Sequence, residues 1–241
     1  MKATFPLETI LASMRQHEQV CVKMPALNHF MSRLEGKLLE VLKGNPSANV
    51  PYHNNVHMEG VWSIAQVMWE AEGEDLGLGG DWAYVALMFV TLLHDYGHSA
   101  GKDNDHYNVL STREFVAELI ARNGYSLPSR VVEVIDSAIE CTEFPFVIPP
   151  RNKLEMVMRD CDVLYATVSL DPVLVMENLR AEIQVAAKRD VTYEEMLVGQ
   201  SKFMESAELF TVTGRAIWDI YAPRYLVRLQ EYAKEKGIPD A

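Results

Sequence analysis

The stretch WAYVALMFVTLLHDYGH, residues 82–98, decides the fold. From Trp82 to His94 no residue is charged, counting histidine as neutral. A strand is usually ~3–10 residues long, so this run is too long for an ordinary one. It is also shorter than the ~20 apolar residues that span a bilayer. The spacing predicts a helix buried on most sides. Such a helix needs other helices around it, and the rest of the chain supplies them.

Outward from this run, apolar residues recur at helical spacing almost everywhere. Upstream, Leu7 to Leu42 reads as two helices broken near Pro25, and a further helix is predicted over Asn55–Glu72. GNPSANVPYHN between them is rich in Gly, Pro, Asn and Ser and reads as loop. Downstream, HDYGHSAGKDNDHYN reads as irregular. Helices are then predicted over Ser111–Asn123, Ser129–Cys141, Asn152–Val168, Pro172–Arg189, Tyr193–Glu208 and Thr213–Lys236. Pro128 and Pro172 stand near helix starts, where a missing N–H costs nothing. Alternating strand patterns, internal repeats and low-complexity linkers are absent from the sequence. The expectation is an all-α fold, a compact multi-helix bundle forming a single domain over residues 1–241.

The 241 residues are 49% hydrophobic and 23% charged, enough apolar material for a sizeable core. The net charge of −12 disfavours sequence-independent binding to nucleic acid or an anionic membrane, since both need a basic surface. A small phosphorylated ligand stays open, because a local metal site can outweigh the global field. Cys21, Cys141 and Cys161 form no CxxC pair and suggest no disulfide framework, so a reducing cytoplasm is expected. The first residues are too interrupted by charge for a signal peptide, and no apolar run is long enough for a membrane span.

Five of the seven histidines lie between His53 and His106. On the helix after Asn54, His57 shares one face with Val61, Ile64 and Met68. Alone, that spacing fits a core histidine satisfied by backbone. His94 and Asp95 weigh against so plain a reading. They close the most apolar helix, where the helix dipole disfavours a negative charge. A carboxylate buried there without a partner would cost several kcal/mol or neutralise itself. A divalent cation removes that cost. The remaining ligand should be a second carboxylate from MVMRDCDVLYATV, residues 156–168. Asp160 and Asp162 fall on opposite flanks of the apolar stripe, each about 100° from its centre, so periodicity leaves both open.

With those residues in place, a resemblance emerges. The order H…HD…D resembles that of the HD superfamily of metal-dependent phosphohydrolases. PYHNNVHMEGV (51–61) is similar to the YHNxxH segment of class I cyclic nucleotide phosphodiesterases, and LLHDYGHSAG (92–101) to their HDxxHxG segment. IECTEFPF (139–146) resembles their Ala-Thr-Asp stretch, with Glu143 where the family has Asp. RDCDVL (159–164) resembles the stretch that gives the last ligand, which favours Asp162. GQSKFMES (199–206) is similar to the Gln-x-x-Phe pair that recognises the base.

The resemblance implies a bundle built around a metal centre. His57, His94, Asp95 and Asp162 would hold one divalent ion, and Asp95 would bridge to a second, otherwise water-bound. His98 would support the centre or reach the second ion. Glu143 would lie against the site, His53 would protonate the leaving oxygen, and Gln200 and Phe203 would clamp the base. The ions (Zn, Mn, Fe or Mg; mixed N/O ligands do not select one) would activate water to open a cyclic nucleotide. The chain departs from the pattern in several places. Ser99-Ala100-Gly101 follows His98 where Pro-Gly is usual, leaving Asn104 or Asn108 for the next asparagine. No aspartate follows His57, and the stretch from Asp95 to Asp162 is short. Two other classes stay open: an HD-type phosphomonoesterase or (d)NTP triphosphohydrolase, and a module that binds a nucleotide without cleaving it. The expected partner is a nucleotide; the sequence leaves the oligomeric state, a homo-oligomer included, open.

Overall fold

The computed structural model describes residues 25–73, 76–123, 125 and 127–238. Among these, nine helices and no strand occur. They are α1 (Pro25–Lys43), α2 (Asn55–Glu72), α3 (Gly80–Leu93), α4 (Asp105–Arg122), α5 (Ser129–Glu140), α6 (Lys153–Val168), α7 (Pro172–Ala187), α8 (Tyr193–Ser206) and α9 (Val212–Glu235). The helix expected before Pro25, and Cys21, lie outside the described residues. No helix among the described residues is long and apolar enough to cross a membrane.

The run that opened the sequence reading is the central helix. Val85 to Leu93 on α3 is sealed from solvent, and the helix packs against α1, α2, α5 and α6. Its buried Thr91 hydroxyl is satisfied locally, Oγ1 donating to the Leu87 carbonyl at 2.7 Å. A second, smaller cluster gathers Met176 of α7, Met196 and Leu197 of α8, and Tyr225 and Leu229 of α9.

Capping side chains set several boundaries. Asn54 Oδ1 accepts from the Val56 and His57 amides, Asn152 caps α6, and Asp171 with Pro172 starts α7. Thr192 and Glu195 form a capping box that opens α8.

The structure corrects one boundary. A helix was expected from Ser111, yet α4 begins at Asp105. Asn104 supplies the cap, accepting from the Tyr107 amide at 3.1 Å. Before Ser111 the helix buries only Asn108 and Val109, so a single apolar residue marks its first turns in the sequence. Between α5 and α6 the chain loops out, and the buried Arg159 of α6 holds that loop. Its Nε donates to the Cys141 carbonyl at 2.8 Å and its Nη2 to the Ile148 carbonyl at 3.0 Å. Cys141 and Cys161 are both buried and free.

Candidate metal centre

Three elements deliver four ligand atoms to one point. The Asn54 cap fixes the first turn of α2 and aims His57 inward, where it is fully buried. His94 ends α3, donating from Nδ1 to the Thr91 carbonyl at 3.2 Å. That bond places the proton on Nδ1 and leaves the Nε2 lone pair facing the cluster. Asp95 follows it, and Asp162 enters from α6. His57 Nε2 lies 3.1 Å from His94 Nε2, 3.1 Å from Asp95 Oδ2 and 3.3 Å from Asp162 Oδ1. His94 Nε2 lies 3.1 Å from Asp95 Oδ2 and 3.6 Å from Asp162 Oδ1.

These spacings bear directly on whether an ion fits. Ligands bonded at ~2.1 Å sit ~3.0 Å apart along an octahedral edge and ~3.4 Å apart along a tetrahedral one. Four of the five separations, 3.1–3.3 Å, fall between such edges and the fifth, 3.6 Å, is slightly longer; two imidazoles and two carboxylates are a donor set that suits a divalent metal. Both histidine side chains are shut off from solvent, while those of Asp95 and Asp162 keep 12% and 20% exposure. The carboxylate side is therefore the open one. His57 Nδ1 is buried without a hydrogen-bond partner, and its ring stands perpendicular to that of Tyr165 at 4.5 Å.

The electrostatics follow from the same contacts. Burial alone would push the His57 and His94 pKa values down. The neighbouring Asp162 and Asp95 outweigh it, so that of His57 is raised and that of His94 well raised. Burial works in the opposite direction on Asp95, yet His94 and His53 hold it well below the usual carboxylate range. Asp162 is likewise lowered, against its burial, by His57 and His94. These opposed shifts express the mutual attraction of the two imidazoles and the carboxylate pair.

Asp160 does something else. Its Oδ1 accepts from the Phe210 amide at 2.9 Å, and its Oδ2 from the Thr211 amide and hydroxyl at 2.8 and 2.7 Å. A Cβ at Gly214 would come within 2.2 Å of Oδ2, so glycine there admits the carboxylate to the start of α9. Asp160→Asn should thus lower stability by about 1–3 kcal/mol yet leave cation affinity unchanged, whereas Asp162→Asn should remove cation binding. Denaturant melts and a Mn²⁺ titration of both variants distinguish the two roles; equal cation affinities would undo the assignment.

A second group lies alongside. His53 stacks on His98 with centroids 3.8 Å apart, and its ring is 5.7 Å from that of His57. Glu182, from α7, closes the group. Its Oε1 accepts from the Tyr52 and His53 amides at 2.7 and 3.1 Å, and its Oε2 lies 2.6 Å from His53 Nδ1. That last separation is shorter than either coordination edge, and it is the length of a charge-assisted hydrogen bond. The pair is closed by a proton from His53 rather than opened for an ion. The bond to His53 lowers the Glu182 pKa although burial opposes it. His98 Nδ1 accepts from the Ala100 amide at 3.1 Å, and Asn108 Nδ2 lies 2.9 Å from His98 Nε2. Of the two asparagines left open, Asn108 therefore faces His98, while Asn104 caps α4. Gly101 adopts φ +83, and a Cβ there would lie 2.4 Å from the Glu182 carbonyl oxygen. Glycine lets the turn carrying His98 abut α7. Nothing in the sequence marks Glu182, an acidic residue on a helix 129 positions from His53.

The other expected residues have partners of their own. Glu143 pairs with His106 at 3.1 Å. Gln200 is nearly buried and accepts from the Tyr225 hydroxyl at 2.6 Å. Phe203 packs against both hydrophobic clusters.

Compared with models of known protein families and with curated proteins, the chain matches none.

Proposed function

We propose that this chain is a metal-dependent phosphoric ester hydrolase of the HD type, acting on a cyclic nucleotide. One observation carries the reading: His57, His94, Asp95 and Asp162 converge at ligand spacing beside a hydrogen-bonded His53–Glu182 pair. A divalent ion bound there would supply Lewis-acid charge and lower the pKa of water. The resemblance implies a second ion beside Asp95.

The chain's own residues account for the rest. His57 and His94 present Nε2 lone pairs, with the His94 tautomer set by Thr91. Asp95 and Asp162 offset the ion's charge from the open side. Glu182, held ionised by two amides and His53, fixes the His53 ring and leaves Nε2 of that ring for the leaving oxygen. His53 keeps 24% side-chain exposure, so a substrate can reach it. An imidazole within reach of the leaving oxygen can hand it a proton, the role of a general acid. His53→Ala should retain the cation and lose ~10²–10⁴-fold in rate. Single-turnover kinetics of a metal-loaded variant measures this, and an unaltered rate would take His53 out of the mechanism.

The alternative is an HD-type phosphomonoesterase or (d)NTP triphosphohydrolase. The packing of Phe203 against both hydrophobic clusters favours it, because a ring engaged in the core is poorly placed to clamp a base. Protein with Mn²⁺ should be incubated with cyclic AMP, cyclic GMP, cyclic dinucleotides, dNTPs and nucleoside monophosphates. The proposal expects a linear nucleotide from a cyclic one. Free phosphate or triphosphate as sole product would establish the alternative instead.

A further inference from the structure

Asn45 lies in the loop after α1, yet it is almost wholly buried. Its side chain makes four hydrogen bonds. Oδ1 accepts from the Ser47 amide at 3.1 Å, the Ser47 hydroxyl at 2.9 Å and the Gly97 amide at 2.9 Å. Nδ2 donates to Asn55 Oδ1 at 2.8 Å, and Asn55 in turn donates to the Leu42 carbonyl at 2.8 Å.

The two distant partners are informative. Gly97 sits in the turn between Asp95 and His98, at φ +78, and His98 N donates to the Asp95 carbonyl across that turn at 3.1 Å. Asn55 is the first residue of α2, two before His57. One amide side chain thus grips the segment that carries Asp95 and the segment that carries His57. Neighbouring bonds reinforce the grip on the turn. Tyr96 donates from its hydroxyl to the Gly44 carbonyl at 3.1 Å, and Thr112 donates to the Tyr96 carbonyl at 3.2 Å.

We infer that Asn45 is a positioning residue for the metal centre: it clasps the start of α2 to the Asp95 turn and so sets the His57–Asp95 spacing that a divalent cation requires. The inference rests on reading the four converging side chains as a cation site. It does not depend on which phosphate ester is cleaved. Groups that orient metal ligands without touching the ion typically alter affinity 10–100-fold when removed. Asn45→Ala cuts both grips. Asn45→Asp keeps an acceptor for Gly97 and Ser47 but sets a carboxylate oxygen against Asn55 Oδ1 where a donor stood.

The test is a Mn²⁺ titration by calorimetry, with folding and thermal midpoint followed by circular dichroism. Glu177→Gln serves as control. Glu177 accepts from Tyr232 and Arg180 at the second hydrophobic cluster, so its loss weakens the fold away from the turn. Expected affinities run wild type, then Asn45→Asp, then Asn45→Ala, the last weaker by ~10–100-fold, with Glu177→Gln equal to wild type. Folded Asn45→Ala with wild-type affinity would overturn the clasp, as would a Glu177→Gln variant weakened just as much. If Asn45→Ala does not fold, Asn45→Asp against Glu177→Gln carries the comparison. Wild-type protein that takes up no Mn²⁺ would remove the cation site and the clasp together. A negative substrate panel with normal Mn²⁺ binding would leave the clasp standing.

Discussion

Asp95→Ala, and the isosteric Asp95→Asn, should yield folded protein without bound cation and without turnover. The Asp95 carboxylate lies 3.1 Å from both imidazole Nε2 atoms, the shortest carboxylate approach in the cluster. Among the described residues no other carboxylate reaches His57 and His94 as closely. Charge stabilisation by a catalytic ion is worth several kcal/mol, and ~1.4 kcal/mol is tenfold in rate, so a loss of ~10³-fold or more is expected. The turn itself should survive in Asp95→Asn, because its backbone bond to His98 is untouched. Metal content by mass spectrometry and turnover on the best substrate check this. Full metal content with normal turnover in either variant would place the centre elsewhere.

The second large effect is on pH. The folded pKa values of His57 and His94 are raised above the ordinary 6.5. In metal-free protein they hold protons that stabilise the fold fully below about 6.5, and that contribution is lost as pH climbs through the folded values. Asp95 and Asp162 are lowered from 3.8, so their contribution is present above that value and lost only as pH falls through the lowered ones. The carboxylates, lowered from 3.8, are already ionised near neutrality, and the imidazoles, raised from 6.5, are the groups of the cluster whose protonation changes there. A cation needs both imidazoles neutral, so its binding expels protons. Affinity should rise ~tenfold per pH unit for each proton released. Calorimetric titrations with Mn²⁺ in two buffers of different ionisation heat count those protons. The metal-free thermal midpoint should fall above neutral pH, and saturating Mn²⁺ should offset the fall. Cation affinity independent of pH would contradict the assignment of these histidines as ligands.

Much of this architecture could be read in the residues. The uncharged run before His94 is the buried central helix because burial on all sides leaves no face for charge. His57 could be placed because it shares the inward stripe of α2 with Val61, Ile64 and Met68. Periodicity could not separate Asp160 from Asp162, since two residues flanking one stripe differ only in what packs over each. Asp160 meets the start of α9 and Asp162 meets the histidines, and neither neighbour is local in sequence. Glu182 and Asn45 were illegible for the same reason. Their roles come from hydrogen bonds to Tyr52, His53, Gly97 and Asn55 that exist only once the helices are assembled. The first turns of α4 carry one buried apolar residue, Val109, beside the polar Asn108 that faces His98, which is too little for an apolar period.

The account stands or falls on one ion shared by four side chains. A crystal soaked in Mn²⁺, measured for anomalous scattering, tests that sharing directly. The expected map has one strong peak within ~2.0–2.3 Å of His57 Nε2, His94 Nε2, an Asp95 oxygen and an Asp162 oxygen. A saturated crystal with no peak at that point, or with its peak held by other residues, would contradict the account.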